Sequence, residues 1–513
     1  MREKNQVVLP LNLGICIPDD DFVFKVAEIC EGLDYTELFQ TYLRSYRKVN
    51  PITMFELLIF GYMNRKFSSR EIEKACKTDI RFLWLLNGEP APSDSTIVRF
   101  QKGHLAKAIE GLFYQFVEKL YEAGEIKFKN LFVDGTKLEA YANKYTFVWK
   151  SAVEKNLAKL EKKATALLCV VSERYGFSES ISLEECYEHL VRQAQWANLV
   201  FAVERRKHKT QLQKDIEAVR KYIEKKEEYC THLGKFGKRK SFSKTDTDAT
   251  FMRMKEDHMR NGQLKPGYNI QVGVESEYIV GIGAFSNRTD VNTLIPFLRR
   301  IRSHTSRKFE NIVADAGYES SENYLYLNEN EQRCFIKPRN YEISKKRSYK
   351  ANPYTAENMI YNAKKDEYIC PNERKLKFQK SSTETTENGY TVSIKYYSNE
   401  TCGRCPHKGK CHKAKNGHRT MQVNPVMTEN RPKTLALLTS EEGALLRMNR
   451  SIQVEGVFGV LKEDYGFRRF LTRGKKNIET QCFLLAFALN IEKMWNRAKK
   501  GRVGVDLFGF NAS

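Results

Sequence analysis

The stretch "NIVADAGYES", residues 311–320, opens as a buried strand should, with Ile312, Val313 and Ala314 in a row. It then ends on a bare carboxylate, Asp315, with Gly317 two residues on. A second stretch, "NLFVDGTKLEA" (130–140), has the same shape: Leu131, Phe132 and Val133 lead to Asp134 and Gly135. A charge at the end of a core strand loses hydration and needs a partner. An Asp beside a Gly is also a common turn former, so either stretch alone reads equally well as a turn. The repetition is what asks for a functional explanation.

Outward from residue 311 the pattern is α/β. "GYNIQVGVES" and "YIVGIGAFSN" read as two strands joined by a tight polar turn. "DVNTLIPFLRRIRSHTS" is an amphipathic helix for which Asp290 is the expected cap. After Asp315 come a helix, "SSENYLYLNENEQ", and a strand, "CFIKPRN". Two helical stretches close the chain. This order implies a mixed sheet flanked by helices. Residues 1–125 read as an all-α N-terminal domain. Ser68 and Glu71 form a capping box there, and the helices fit a helix-turn-helix-like unit or a plain bundle. The core is expected in the pieces 126–148 and 241–340, completed by helices in 436–513. Residues 149–240 form a charged helical-hairpin insertion, and 341–435 a small, irregular, basic Cys-containing insertion with strand-like pieces such as "TVSIKYYS". "TDTDA" places Asp246 and Asp248 before a strand, in a loop or cap role.

Lys and Arg number 86 against 63 Asp and Glu, a formal charge of +23. Such an excess repels itself and points to a polyanionic partner, most simply nucleic acid. Hydrophobic residues make up 41%, enough for a large core, and no apolar run approaches a membrane span. The N-terminus lacks signal-peptide features, so a cytoplasmic protein without a membrane partner is expected. Eight of the twelve cysteines (Cys16, Cys30, Cys76, Cys169, Cys186, Cys230, Cys334 and Cys482) are scattered singly and read as small buried hydrophobes.

Two strand-end carboxylates in a basic protein suit Mg²⁺, which takes a few carboxylate oxygens and draws other ligands from water and phosphate. "RSIQVEGVFGVLKEDYGF" offers a third acid, Glu455, among Val454, Val457, Phe458 and Leu461. Lys462 lies seven residues later, two regular helical turns on, where it would meet a phosphate backbone. The other four cysteines, Cys370, Cys402, Cys405 and Cys411, include a C-x2-C pair and form a candidate structural zinc site, with His407 and His412 as alternates.

At these residues the chain resembles the DDE transposases of bacterial insertion sequences. The segments that carry the resemblance are "FVDGTKLEA", "TDTDATFMRMKEDHMRNGQLKPGYNIQVGV", "VADAGYES" and "RSIQVEGVFGVLKEDYGFRRFLTRG". The resemblance implies an RNase H-like catalytic core with Asp134, Asp315 and Glu455 as the metal-binding triad. It implies Mg²⁺ or Mn²⁺, as two ions, and the cleavage and strand transfer of double-stranded DNA. The DNA would be the inverted repeats of the element and its target, handled by a homodimer at the bacterial nucleoid. Some relatives carry a tyrosine seven and an arginine four residues before the glutamate, and a lysine seven after. Here those positions are Met448, Ser451 and Lys462, so only the lysine matches. Arg447 and Arg450 stand one step out of register. Arg450, Lys462, Arg468 and Arg469 are the expected DNA contacts. The alternative reading is an inactive or domesticated transposase that only binds DNA.

Overall fold

A computed structural model describes residues 16–42, 49–178, 181–202, 209–255, 259–412, 414 and 417–504. The chain divides into two units: residues 1–138 with 269–513, and residues 139–268.

The first unit is built on β1 (Asn130–Glu139), β2 (Leu264–Glu275), β3 (Tyr278–Phe285), β4 (Asn311–Ala314) and β5 (Arg333–Ile336), in the order β3-β2-β1-β4-β5. β1, β4 and β5 are parallel, and β2 and β3 form an antiparallel hairpin. This is the mixed sheet flanked by helices expected of an RNase H-like domain. The inner strands are buried on both faces and read as runs of Val, Ile, Leu and Phe. The hairpin turns at Ser276 and Glu277, both left-handed (φ 52° and 68°), the pair of signs that matches strand twist.

The start of β1 is fixed by one side chain. The buried Glu275 carboxylate accepts from the backbone N–H of Lys127, Phe128, Lys129 and Asn130 at 2.8–3.1 Å. Burial pushes its carboxyl up, and these four donors oppose the shift. Glu275→Ala would strand four donors in the interior, at about 1 kcal/mol or more apiece. A loss of roughly 3–4 kcal/mol is expected in denaturant unfolding, and an unchanged midpoint would refute the role.

The N-terminal helices belong to the same packed unit. Pro51–Met63 starts on the Asn50 cap, with Pro at its first position, and is buried over eleven of its 13 residues, so it is a core helix. Ser68 and Glu71 make the capping box the sequence implies. The C-terminal helix Lys475–Lys499 joins these helices through Phe55–Phe487 (5.3 Å), Phe113–Phe483 (5.3 Å) and Phe116–Phe487 (5.5 Å) ring contacts. Residue 125 is therefore a sequence boundary and not a packing boundary. Arg300 ties the same layers together by pairing with Glu110 and Glu479. Although burial opposes it, Arg300 and His304 hold Glu110 down to about 2.

The segment 341–435 is more regular than its sequence implies. β6 (Ile360–Asn362), β7 (Glu367–Ile369), β8 (Lys375–Thr385), β9 (Thr391–Asn399) and β10 (Arg419–Val423) form an antiparallel sheet, in order β10-β9-β8-β7-β6. Its core is small: Met359, Tyr368, Leu376, Tyr397, Met421 and Val423.

In the second unit, helices Lys150–Tyr175, Leu183–Trp196 and Gln211–Phe236 pack around Val171, Cys186, Leu190, Ile216 and Val219. The expected hairpin thus has a third helix, opened by a Ser182–Glu185 capping box. Cys16, Cys169 and Cys230 are exposed, against expectation. Cys169 and Cys230 lie on long helices whose surfaces are mostly solvated, so helical spacing alone did not bury them. Asp246 is buried and accepts the Tyr268 hydroxyl at 3.0 Å, the loop role expected of it.

Candidate active site

β1 and β4 are in register from Asn130–Asn311 to Val133–Ala314. The next residue on each strand is an aspartate. Parallel neighbours at the same register point to the same face, with strands roughly 4.8 Å apart. The two sequence stretches that looked alike therefore set Asp134 beside Asp315. Each carboxylate uses its Oδ1 in the same way: Asp134 accepts the Gly135 N–H and Asp315 the Gly317 N–H, both at 2.8 Å. Asp315 is thereby the cap of the 3-10 turn Ala316–Tyr318 as well as a site residue.

The third acid arrives on the late helix, in an unexpected register. Glu441–Arg450 is α-helical, Ser451–Glu455 is π-helical, Gly456–Gly459 is α-helical and Val460–Asp464 is π-helical again. A π turn bonds i to i+5 and takes more residues per turn, so residues five apart lie closer to one side than in an α-helix. Arg450 and Glu455 are five apart. Arg450 Nη1 donates to Asp134 Oδ2 at 3.0 Å, and its Nη2 lies 3.8 Å from Glu455 Oε1. The one-step slip in the sequence is absorbed by the π turn, and a single guanidinium links Asp134 to Glu455. Arg447 is used elsewhere, donating to the Tyr341 hydroxyl at 2.6 Å. Glu455 itself is 63% exposed, on the open side of the site.

The electrostatics suit a cation. Burial pushes the Asp134 carboxyl up to about 6, Arg450 and the Gly135 N–H pull it down, and the neighbouring Asp315 raises it. A partly desolvated carboxylate beside a second one gains from any positive charge placed between them. Arg450 supplies part of that charge here. The donor set, two strand-end aspartates and an exposed glutamate, is all oxygen, as Mg²⁺ or Mn²⁺ prefers. Among the described residues, no three His, Cys, Asp or Glu side chains are drawn close enough to enclose a metal ion.

Four residues of this site escaped the sequence reading. Asn269 and Gln271, on β2, are two apart and share a face; both are buried. Asn269 Nδ2 and Gln271 Nε2 donate to Asp290 Oδ1 at 2.7 and 2.8 Å. The Tyr318 hydroxyl donates to Gln271 Oε1. Burial drives that phenol well up, with the Asp290, Asp134 and Asp315 carboxylates adding to the shift. Asp290 is thus not the side-chain cap expected of it. Its backbone carbonyl receives the Thr293 N–H and hydroxyl (3.1 and 2.8 Å), so the main chain handles the turn and the carboxylate faces the site. The legible signal was the pair of amides at alternate positions of an otherwise apolar strand.

The remaining expected residues are placed as follows. Lys462 is half-buried on the second π turn, which takes more residues per turn, so seven residues fall short of the two full turns expected. Arg468 is 9% exposed and pairs with Glu463; Arg469 is half-buried. Cys370, Cys402, Cys405 and Cys411 line one small cavity together with His407 and His412.

Two family models match the chain. Residues 11–103 match the Transposase domain (DUF772), and residues 369–495 match the Transposase DDE domain. The second match takes in Glu455 and Lys462, while Asp134 and Asp315 lie before it. No curated protein and no solved structure matches the chain. Among the described residues no helix is long and apolar enough to cross a membrane. A transposase domain matched at residues 11–103 and a transposase DDE domain matched at residues 369–495, across the helix of Glu455 and Lys462, support a DDE-type insertion-sequence transposase.

Proposed function

We propose that this transposase binds the inverted repeats of its insertion sequence as a dimer, cleaves the DNA ends and joins them to a target. The observation that carries the reading is the Arg450 bridge, which brings Glu455 toward the Asp134–Asp315 pair. Asp134, Asp315 and Glu455 would hold Mg²⁺ or Mn²⁺, two ions by family resemblance. Such ions, when bound, supply the charge that lowers the pKa of an attacking hydroxyl and stabilises the leaving oxygen. The chain's own part is positioning. Asp134 and Asp315 each hold Oδ1 on a glycine N–H, and Arg450 holds Asp134 Oδ2, so a metal at the pair would share that oxygen with the guanidinium or displace it. Arg450, Lys462 and Arg469 lie on or just after the Glu455 helix, where basic side chains meet the phosphates; Arg468 would first have to leave Glu463.

The test is a strand-transfer assay with Mg²⁺ and end DNA. Glu455→Gln is expected to cut cleavage and joining by roughly 1,000-fold, equivalent to about 4 kcal/mol of barrier. DNA binding is expected to persist. Joining at the wild-type rate by this variant would refute the assignment. DNA binding without cleavage by the wild type would favour a transposase that only occupies its ends.

We propose that the Cys cavity holds a structural zinc. Four cysteines line it, although no three of these side chains yet stand close enough to enclose a metal, and His412 Nε2 is buried without a hydrogen-bond partner among the described residues. A sheet with so small a core gains from a metal staple. About one zinc per chain is expected by metal analysis, lost in Cys405→Ser together with thermal stability. A zinc-free protein with four freely titrating thiols would refute the site.

A further inference from the structure

Asp290 is a fourth carboxylate beside the triad, and no residue of the proposed chemistry accounts for it. Its Oδ1 is clamped by two buried amides, Asn269 Nδ2 at 2.7 Å and Gln271 Nε2 at 2.8 Å. Gln271 Nε2 also reaches Asn269 Oδ1 at 3.1 Å, so the two amides brace each other. From Gln271 the chain of bonds continues to the fully buried Tyr318 hydroxyl. Tyr318 is the last residue of the turn that Asp315 caps. Asn323 Nδ2 secures the same turn from the other side, donating to the carbonyls of Tyr318 and Val291. The path therefore runs Asp290, Gln271, Tyr318, Asp315 turn, and it closes through Val291 next to Asp290.

The other end of the network fills the space beside Gly135. A Cβ at 135 would lie inside contact distance of Gln271 Nε2 and 2.6 Å from Asp290 Oδ1. A Cβ at 317 would lie 3.5 Å from Asp290 Oδ2 and 2.9 Å from Asp315 Oδ1. Asp290 thus touches the space beside both glycines, and each of those glycines donates its N–H to a triad aspartate.

We propose that Asp290 is a positioning residue for the active site. It locks Asn269, Gln271 and Tyr318 into one arrangement and so fixes the Asp315 turn against the Asp134 strand. Networks of buried, fully paired polar groups hold such geometry tightly, and losing one member loosens the rest. The proposal rests on the metal-binding triad for its functional consequence, but its structural core stands apart from it.

The experiment uses the full chain with three variants: Asp290→Asn, Asp290→Ala and Tyr318→Phe. Asn keeps an acceptor oxygen for both amides, removes the charge and puts an NH2 in place of Oδ2, which neither amide uses. Ala removes the acceptor, and Phe cuts the bond from the turn to Gln271 while leaving the Asn323 contacts in place. Two readouts are taken. Hydrogen exchange of the backbone amides at 315–320 is expected to speed up at least tenfold in Asp290→Ala and Tyr318→Phe and to stay unchanged in Asp290→Asn. The Mn²⁺ dissociation constant, read by titration, is expected to weaken about tenfold in the first two and less than threefold in Asp290→Asn. Unchanged exchange in Asp290→Ala or in Tyr318→Phe would overturn the proposal. So would a loss of Mn²⁺ binding in Asp290→Asn equal to that in Asp290→Ala, because charge and not hydrogen bonding would then be what the site uses. If the wild type binds no Mn²⁺, the metal-site reading fails, and the exchange arm alone still decides the role of Asp290.

Discussion

Asp134→Asn is expected to abolish DNA cleavage and joining, by roughly 1,000-fold, while stabilising the metal-free protein above pH 6. The first half follows from removing a charged ligand of the proposed site. The second half follows from linkage. Burial lifts the folded-state value of Asp134 to about 6, whereas an unfolded aspartate titrates near 3.9. Below about pH 4 both states carry the proton and nothing is lost. As pH rises from 4 to 6, the unfolded chain releases its proton first, so folded stability falls across that window. The full span is worth about 2 kcal/mol, after discounting for the residual exposure of the side chain. Asparagine does not titrate, so the variant lacks this loss, and its one amide oxygen accepts either from Arg450 or from the Gly135 N–H, not in both positions. Denaturant midpoints measured from pH 4 to 8 in a chelator should show a fall for the wild type that the variant lacks. Added Mg²⁺ should restore the wild type and leave the variant unmoved. Parallel pH curves for the two proteins would remove the claim that Asp134 is held against its ionisation.

The sequence shows clearly what local pattern controls. The Ser68–Glu71 box, the Asn50–Pro51 start and the strand order around residue 311 follow from capping chemistry and hydrophobic runs. The sheet in 341–435 is legible only in pieces: β9 shows as "TVSIKYYS", but β8 buries only Leu376 of its eleven residues and so shows no alternation. The helix Leu183–Trp196 has its capping box written in the sequence, but the polar Ser/Glu stretch before it reads equally as the turn of a two-helix hairpin.

The candidate site divides along the same line. Asp134 and Asp315 could be paired from their strands, since register in a parallel sheet follows from matching strand ends. The partnership of Arg450 with Glu455 could not, because it depends on a π turn, and no residue pattern distinguishes i+5 from i+4 bonding in advance. Asp290 was misassigned for a simpler reason. An aspartate ahead of a helix is nearly always read as its cap, and only the fold shows that its carboxylate turns away toward β2.

The same fold makes Gly135 the most constrained small residue of the site, and Gly135→Ala is expected to be the most damaging single methyl within it. Gly135 is not needed for a left-handed backbone, since its φ is not positive. It is needed for space. The added Cβ would press on Gln271 Nε2, on Asp290 Oδ1 at 2.6 Å and on Asn269 Oδ1 at 3.0 Å. None of these is the loose end of a flexible side chain. Asn269 and Gln271 are 1% and 0% exposed, and each is bonded to the others. Moving Gln271 breaks its bond to Tyr318; moving Asp290 leaves two amides unpaired. Overpacking of this kind costs about 1–3 kcal/mol, and each unpaired amide adds about 1 kcal/mol more. A fall of roughly 3 kcal/mol in unfolding free energy is expected, together with loss of joining activity. Gln271→Ala in the same chain removes the nearest of the three collisions and frees Asp290 Oδ1 from one of its two donors, so that it can give way. The double variant should therefore regain much of the stability that Gly135→Ala loses and little of the activity, because the link to Tyr318 stays cut. Additive losses in the double variant would show that the methyl at 135 collides with something other than this network.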